Sequence, residues 1–209
     1  MQMNRIIITI FILIVSFLSC NGQNKSEDGE FKIEIPSYSN GELDLFYKLT
    51  KQKSEQLELD DLTKGYDSLQ IRIWYDYSLI NHRELIVFKY HNSKWWGYHY
   101  NLEVNWNSSN LSETIEKFDK EFIFPKTDWE NFIAELLKKK ILELPNMDDI
   151  KGLEDYWTDG ITYNVEIGTK DKYRFYSYHL PNKFLNFWQA KNMMEILDIV
   201  QSEFNIPKK

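Results

Sequence analysis

Cysteine is almost absent from this sequence, since its 209 residues include a single one, Cys20. No disulfide can form within one chain, so the fold must be held together by its core alone. Aromatic residues make up 16% of the chain, which argues for a real core and against a disordered chain. The length predicts one domain.

Clusters of basic residues are missing as well, and the formal net charge is −7. An acidic surface repels phosphate backbones and anionic headgroups. The composition therefore argues against nucleic acid as a partner and against electrostatic binding to a membrane.

The sequence motifs of several enzyme classes are also absent. The chain has no G-x-S-x-G, no S-x-x-K, no H-E-x-x-H and no glycine-rich phosphate loop. Its four histidines, His82, His91, His99 and His179, are not paired at the spacing of metal ligands. We therefore expect no cofactor, no metal and no enzymatic activity.

The first twenty residues differ in kind from the rest. Ile6–Leu18 is a run of thirteen uncharged residues after Arg5, which suits a signal peptide and is too short to span a bilayer. Ser19 and Cys20 follow, so the segment resembles a bacterial lipoprotein signal, with Phe17 where Leu is usual. The resemblance implies that residues 1–19 are removed and that Cys20 is lipidated, with acyl chains such as palmitate. An ordinary signal peptide or an uncleaved anchor is the alternative.

The segment Asn21–Glu30 carries no apolar side chain and predicts a flexible tether. Its start, CNGQNKSED, resembles lipoproteins of Bacteroidetes-type bacteria, some of which use a Lys and acidic residues here as a surface-export signal. Lys25, Glu27 and Asp28 suit that role or that of a solvated linker. The resemblance implies a cell-envelope location, at the periplasmic or surface side of the outer membrane.

Three segments in the middle of the chain predict strands, because they are rich in β-branched and aromatic residues: 69–80, 83–90 and 94–106. With Asn92 and Ser93 as a two-residue turn, Lys89 pairs with Trp96, and Trp96 and Tyr98 share the face opposite the core. A slip of one residue would exchange the faces. Exposed Trp and Tyr side chains stack on sugars or anchor proteins, so Trp96 and Tyr98 are candidate binding residues for an envelope glycan or protein.

The C-terminal half predicts a helix, a hairpin and a final helix. Thr127 to Glu130 has the form of a capping box. The apolar stripe of the helix that follows comprises Trp129, Phe132, Ile133, Leu136 and Leu137. Segments 161–168 and 172–181 predict the hairpin, and residues 187–204 the last helix. This half resembles a region of uncharacterised Bacteroidetes-type lipoproteins, a resemblance that implies no activity.

The remaining segments are less regular. Residues 31–38 predict a short strand or an extended arm, and residues 40–60 suit either a strand or a helix. Residues 107–125 predict a polar connection with a weak amphipathic segment. Residues 31–209 together predict a single α+β domain. In it, an antiparallel sheet built from two hairpins carries helices packed on one face.

An acidic loop holds the best catalytic candidates, Glu154, Asp155 and Asp159, beside Tyr156 and Trp157. Carboxylates next to aromatics are typical of glycosidase clefts. Asp159 before Gly160 equally suits a turn. We predict a lipid-anchored, non-catalytic binding or accessory module. The alternatives are an envelope carbohydrate-active hydrolase using this loop and an immunity or inhibitor protein with a basic partner.

Overall fold

Seven strands form one mixed sheet in the order β1-β7-β6-β2-β3-β4-β5. The structure is a computed structural model that describes residues 30–153 and 159–207. The strands are β1 (Lys32–Glu34), β2 (Leu69–Tyr77), β3 (His82–His91), β4 (Lys94–Asn107), β5 (Ser112–Ile123), β6 (Ile161–Thr169) and β7 (Lys172–His179). The helices are α1 (Leu45–Gln56), α2 (Trp129–Lys138) and α3 (Trp188–Phe204), with short 3-10 turns at Leu62–Lys64, Met147–Asp149 and Pro181–Phe184.

The mixed α and β class expected from the sequence is confirmed, but the sheet is not built from two hairpins. Strands β2 to β5 form a four-stranded antiparallel meander, and the hairpin β6–β7 joins it through β2. The short strand β1 pairs with β7 in parallel. Among the described residues, no helix is long and apolar enough to cross a membrane.

Strand β5 occupies a segment that was predicted to be a polar connection, and that prediction was wrong. The strand lies at the edge of the sheet, and its side chains are mostly exposed. Charged residues are typical of edge strands because they discourage pairing with a second molecule. The polar sequence therefore reflects the position of the strand and not a loop.

The hairpin between β3 and β4 has the register expected from the sequence. Lys89 pairs with Trp96, and Asn92 and Ser93 both have positive φ, at 50° and 60°. A two-residue hairpin turn of this kind needs positive φ at both central positions. Trp96 and Tyr98 consequently lie on the same side of the sheet.

The first face of the sheet carries the main core and is covered by α2 and α3. Phe88 packs against Phe132 and Phe204, with ring centroids 4.9 Å and 5.3 Å away. Gly97 lies beneath Trp129, where a Cβ atom would come within 2.7 Å of the indole ring. The close approach of α2 to β4 therefore requires glycine at this position.

Two details of helix α2 differ from the prediction. Its N-cap is Asp128, whose carboxylate accepts from the Asn131 amide at 2.8 Å, while Thr127 bonds Glu203 instead. Leu137 is 44% exposed and does not belong to the buried stripe. Asp caps a helix as well as Thr does, so the sequence permits both starting points.

The second face is covered in part by α1, so the prediction of helices on one face only was wrong. Tyr47 of α1 packs with Tyr173 and Phe175, and Leu57 at its end packs with Trp74. The buried side of α1 is largely polar, comprising Tyr47, Thr50, Lys53 and Ser54. This composition explains why the apolar pattern left the segment ambiguous between strand and helix.

Candidate functional site

The second face of β4 and β5 carries a surface of aromatic side chains, comprising Trp96, Tyr98, Phe118 and Phe122. We call these four residues the aromatic surface. Tyr98 and Phe122 are cross-strand partners with ring centroids 4.8 Å apart. Trp96 lies 6.3 Å from Phe122. Because side chains on adjacent strands stand side by side, the rings of Trp96, Tyr98 and Phe122 form one continuous group. Phe118 lies further along β5 on the same face, with its ring centroid 6.3 Å from that of the buried Tyr100.

Three of these four rings are open to solvent. The exposed fractions are 39% for Trp96, 46% for Phe118 and 58% for Phe122. On strands β4 and β5, helix α1 contacts the other end of the hairpin, where Gln56 bonds the backbone of Glu113 and Ile115. The aromatic surface lies beyond the part of the face that the helix shields.

Tyr98 is less exposed to solvent than the other three residues of the aromatic surface. It is partly buried and packs against the cluster that contains Trp74, Leu85 and Val87. The Nζ atom of Lys120 lies 4.3 Å from the centre of its ring, and that of Lys89 lies 5.4 Å away. Tyr98 therefore supports the surface, whereas Trp96 offers an open ring.

Phe118 and Phe122 were not proposed as binding residues from the sequence, because it predicted a polar connection for their segment. A signal was nevertheless present, since Phe118, Lys120, Phe122 and Phe124 recur at every second position. That spacing places side chains on one face of a strand. It also places the acidic residues Asp119 and Glu121 on the opposite face.

The acidic loop is only partly within the described residues. Asp159 is exposed and stands directly before Gly160 and the first residue of β6. Glu154 and Asp155 lie outside the described residues, as does Cys20.

A second candidate region is a cleft between α1 and the turn from β2 to β3, with a volume of about 300 Å³. Leu45 and Leu49 of α1 line one side, and Leu79 and Ile80 line the other. Asp76, Arg83 and Glu113 line the cleft, and the buried Lys53 is paired with the two acids. We call these four charged residues the charged floor.

The members of the charged floor neutralise one another. Lys53 Nζ lies 2.5 Å from Asp76 Oδ1 and 3.2 Å from Glu113 Oε2. Arg83 Nε donates to Glu113 Oε1 at 3.0 Å, and its Nη1 donates to the carbonyls of Tyr77, Ile80 and His82. Arg83 thereby fixes the turn that presents Leu79 and Ile80.

The two carboxylates of the charged floor, Asp76 and Glu113, do not have the properties of a glycosidase pair. Burial by itself would raise the pKa of Glu113, but the charges of Lys53 and Arg83 outweigh it and lower that pKa. A general acid needs a raised pKa so that it holds a proton at neutral pH. The geometry favours a structural role for the charged floor.

His99 on β4 links the strands on either side of it. Its Nε2 lies 3.0 Å from Glu84 Oε2 on β3, and its Nδ1 lies 3.1 Å from Glu121 Oε1 on β5. Tyr77 donates to the other oxygen of Glu84, from which His82 Nε2 is 3.6 Å distant. Burial would lower the pKa of His99, but the hydrogen bonds to the two carboxylates raise it.

We expect His99→Gln to destabilise the protein more in mild acid than in alkali. Because the pKa of His99 is raised in the folded state, its contribution is complete below the unfolded pKa and is lost as pH rises through the folded pKa. Urea unfolding should show a loss of about 1.5–3 kcal/mol near pH 5.5 and a smaller loss near pH 9. The matched control is His91→Gln, at an exposed histidine. Equal losses at both pH values would contradict the ion pairs.

Comparisons with known proteins identify no relative: no protein-family model, curated protein or solved structure matches this chain. Within residues 30–153 and 159–207, no three His, Cys, Asp or Glu side chains converge as a metal site would require. The features of this chain that bear on its function are therefore the aromatic surface, the charged floor and the sequence of the N-terminus.

Proposed function

We propose that this protein is a lipid-anchored, non-catalytic lipoprotein of the cell envelope that binds a glycan through the aromatic surface. The observation that carries the proposal is the exposure of Trp96, Phe118 and Phe122 on adjacent strands of one sheet face. Large exposed apolar groups that lie together mark binding sites more often than scattered single ones do.

The shape of the surface suits a sugar chain. Sheet faces are broad and only gently twisted, and rings on neighbouring strands can contact successive units of an extended ligand. Ring centroids along the aromatic surface are spaced at 4.8 Å and 6.3 Å. Aromatic faces bind the apolar faces of flat ring systems and lose little conformational entropy in doing so.

The aromatic surface lies at the edge of the sheet opposite to β1. The chain enters the sheet at β1, and β4 and β5 are the last two strands at the opposite edge. At a strand spacing of about 4.8 Å, the five or six intervening steps separate them by roughly 24–29 Å.

The alternatives receive less support from the described residues. An immunity protein for a basic partner needs an acidic contact surface, whereas Lys89 and Lys120 flank the aromatic surface. The hydrolase alternative depends on Glu154 and Asp155, which lie outside the described residues. The carboxylates of the cleft do not replace them, because a glycosidase acid needs a raised pKa and that of Glu113 is lowered. Glycan binding is the function that the geometry supports best.

We expect the double substitution Trp96→Ala and Phe122→Ala to weaken glycan binding by about 100-fold, since stacked aromatic anchors contribute roughly 1–3 kcal/mol each. The measurement is affinity electrophoresis of the chain from Phe31 onward, a compact unit, through gels that contain soluble polysaccharides. The thermal midpoint should fall little, because both rings are exposed.

The matched control is Trp188→Ala, because Trp188 is 49% exposed and lies at the start of α3, on the other face of the sheet. This variant should bind as the unchanged protein does. The proposal is wrong if the unchanged protein is not retarded by any polysaccharide, or if the double variant is retarded equally.

A further inference from the structure

Resting on the proposed function, we infer that the ligand of the aromatic surface is an anionic polysaccharide, whose carboxylate or phosphate groups are bound chiefly by Lys120. The aromatic rings contact the faces of the sugar rings, and the ammonium group of Lys120 favours polysaccharides that carry negative charge. The inference concerns the class of glycan and not whether a glycan binds.

Two lysines, one on each strand beside β4, approach the ring of Tyr98. Lys120 on β5 lies over the rings of Tyr98 and Tyr100, at 4.3 Å and 5.1 Å from their centres. Lys89 on β3 approaches Tyr98 from the other neighbouring strand, at 5.4 Å. Ring faces attract ammonium groups but do not neutralise their charge.

These lysines differ from the buried cations of the protein in having no carboxylate partner. Lys53, Arg72 and Arg83 each form a salt bridge with a buried glutamate. Across the described part of the chain, neither Lys89 nor Lys120 lies within 4.0 Å of an acidic oxygen. Both positive charges therefore remain available to an anion.

The strand positions around Tyr98 carry no acid on this face. The nearest cross-strand residues are Val87 and Phe122, and the next pair is Leu85 and Lys120 opposite Tyr100. The acids of β5 in this region point to the other face, where Glu121 bonds His99. A protein of net charge −7 thus has a locally positive aromatic surface.

The two lysines have unequal surroundings. Lys89 and His91 border a groove that also contains Asp60, Asp61 and Asp67. These carboxylates repel an anion on the β3 side, although Asp61 is paired with Lys64. Lys120 lies on the far side of Tyr98, on the edge strand. The stronger anion contact is therefore expected at Lys120.

The test compares polygalacturonate with its fully methyl-esterified form, which keeps the sugar rings and removes the charge. The unchanged protein should bind polygalacturonate more tightly, and the preference should fall as salt is added, since exposed charges are screened. Lys120→Gln should weaken polygalacturonate binding by up to about fivefold and leave binding of the ester unchanged. Lys89→Gln should have a smaller effect.

The matched control is Lys117→Gln, because Lys117 is exposed on the same strand but pairs with Glu103 on the other face. Equal binding of both polysaccharides, lost on Trp96→Ala and Phe122→Ala, would overturn the inference and leave glycan binding intact. Binding of neither polysaccharide, with binding to vesicles of anionic lipid instead, would overturn the inference together with the proposed function.

Discussion

Replacing Lys53 by alanine is expected to lower the free energy of unfolding by about 3–5 kcal/mol, as is found when one partner of a buried ion pair is removed. The ammonium group is fully buried. It is paired with Asp76 and Glu113 and lies 5.3 Å from the ring of Trp74. Without it, two carboxylates of the charged floor face each other with only Arg83 to compensate.

The remaining contacts of the charged floor explain why the structure cannot relax cheaply. Asp76 is held by Asn164 through a 2.7 Å hydrogen bond, and Glu113 is held by Arg83. Neither carboxylate can turn towards water without losing these bonds. The cost of an unpaired buried charge therefore falls on the folded state.

The control for this prediction is Lys51→Ala, because Lys51 lies two residues earlier on the same helix and is exposed. Its effect should be within about 0.5 kcal/mol. Lys53→Met combined with Asp76→Asn should be less destabilised than Lys53→Met alone, since one uncompensated charge is removed. Chemical denaturation of the unchanged protein, Lys53→Met, Asp76→Asn and the double variant measures the coupling between the two residues. Additive losses would contradict the pairing of Lys53 with Asp76.

Substituting Cys20 by serine is expected to move the protein from the membrane fraction to the soluble fraction. A thioether-linked lipid cannot form on serine, and each buried CH₂ of an acyl chain contributes about 0.8 kcal/mol to membrane binding. Several acyl chains therefore anchor a protein stably, whereas the described part of the chain has no helix that could cross a membrane. Incorporation of labelled palmitate should be lost together with the anchoring.

The control for the anchor is Asn21→Ser, which changes the next residue and keeps the cysteine. This variant should stay in the membrane fraction and take up label. Retention of Cys20→Ser in membranes after washing with high salt would show that another feature holds the protein there. The lipoprotein part of the proposed function would then be wrong, while glycan binding would stand on its own test.

The sequence predicted those parts of the fold that depend on local pattern. The β3–β4 register followed from a two-residue turn and from alternation of core and solvent residues. The last helix, Trp188–Phe204, followed from apolar residues at helical spacing and is confirmed. Such patterns are readable because a strand or an amphipathic helix repeats its chemistry every 2 or 3.6 residues.

Only two of the four residues of the aromatic surface could be predicted from the sequence. Trp96 and Tyr98 were named because they alternate with core residues in an obvious strand. Phe118 and Phe122 were not, since an edge strand rich in charge looks like a connection. The covering of Tyr98 by Lys120 also could not be foreseen, because it depends on the pairing of two strands in three dimensions.

By itself, the sequence predicted an anchor at the N-terminus, and it determined the aromatic content that makes a core possible and the local elements with clear periodicity. Only the tertiary structure decided that α1 covers part of the second face, that Lys53 is buried among carboxylates, and that four aromatic side chains of β4 and β5 share one face of the sheet. The physical reason is that these features depend on contacts between residues far apart in the chain. Lys53 and Glu113 are one such pair, and neither the burial of a charge nor the neighbour that compensates it is encoded in local spacing.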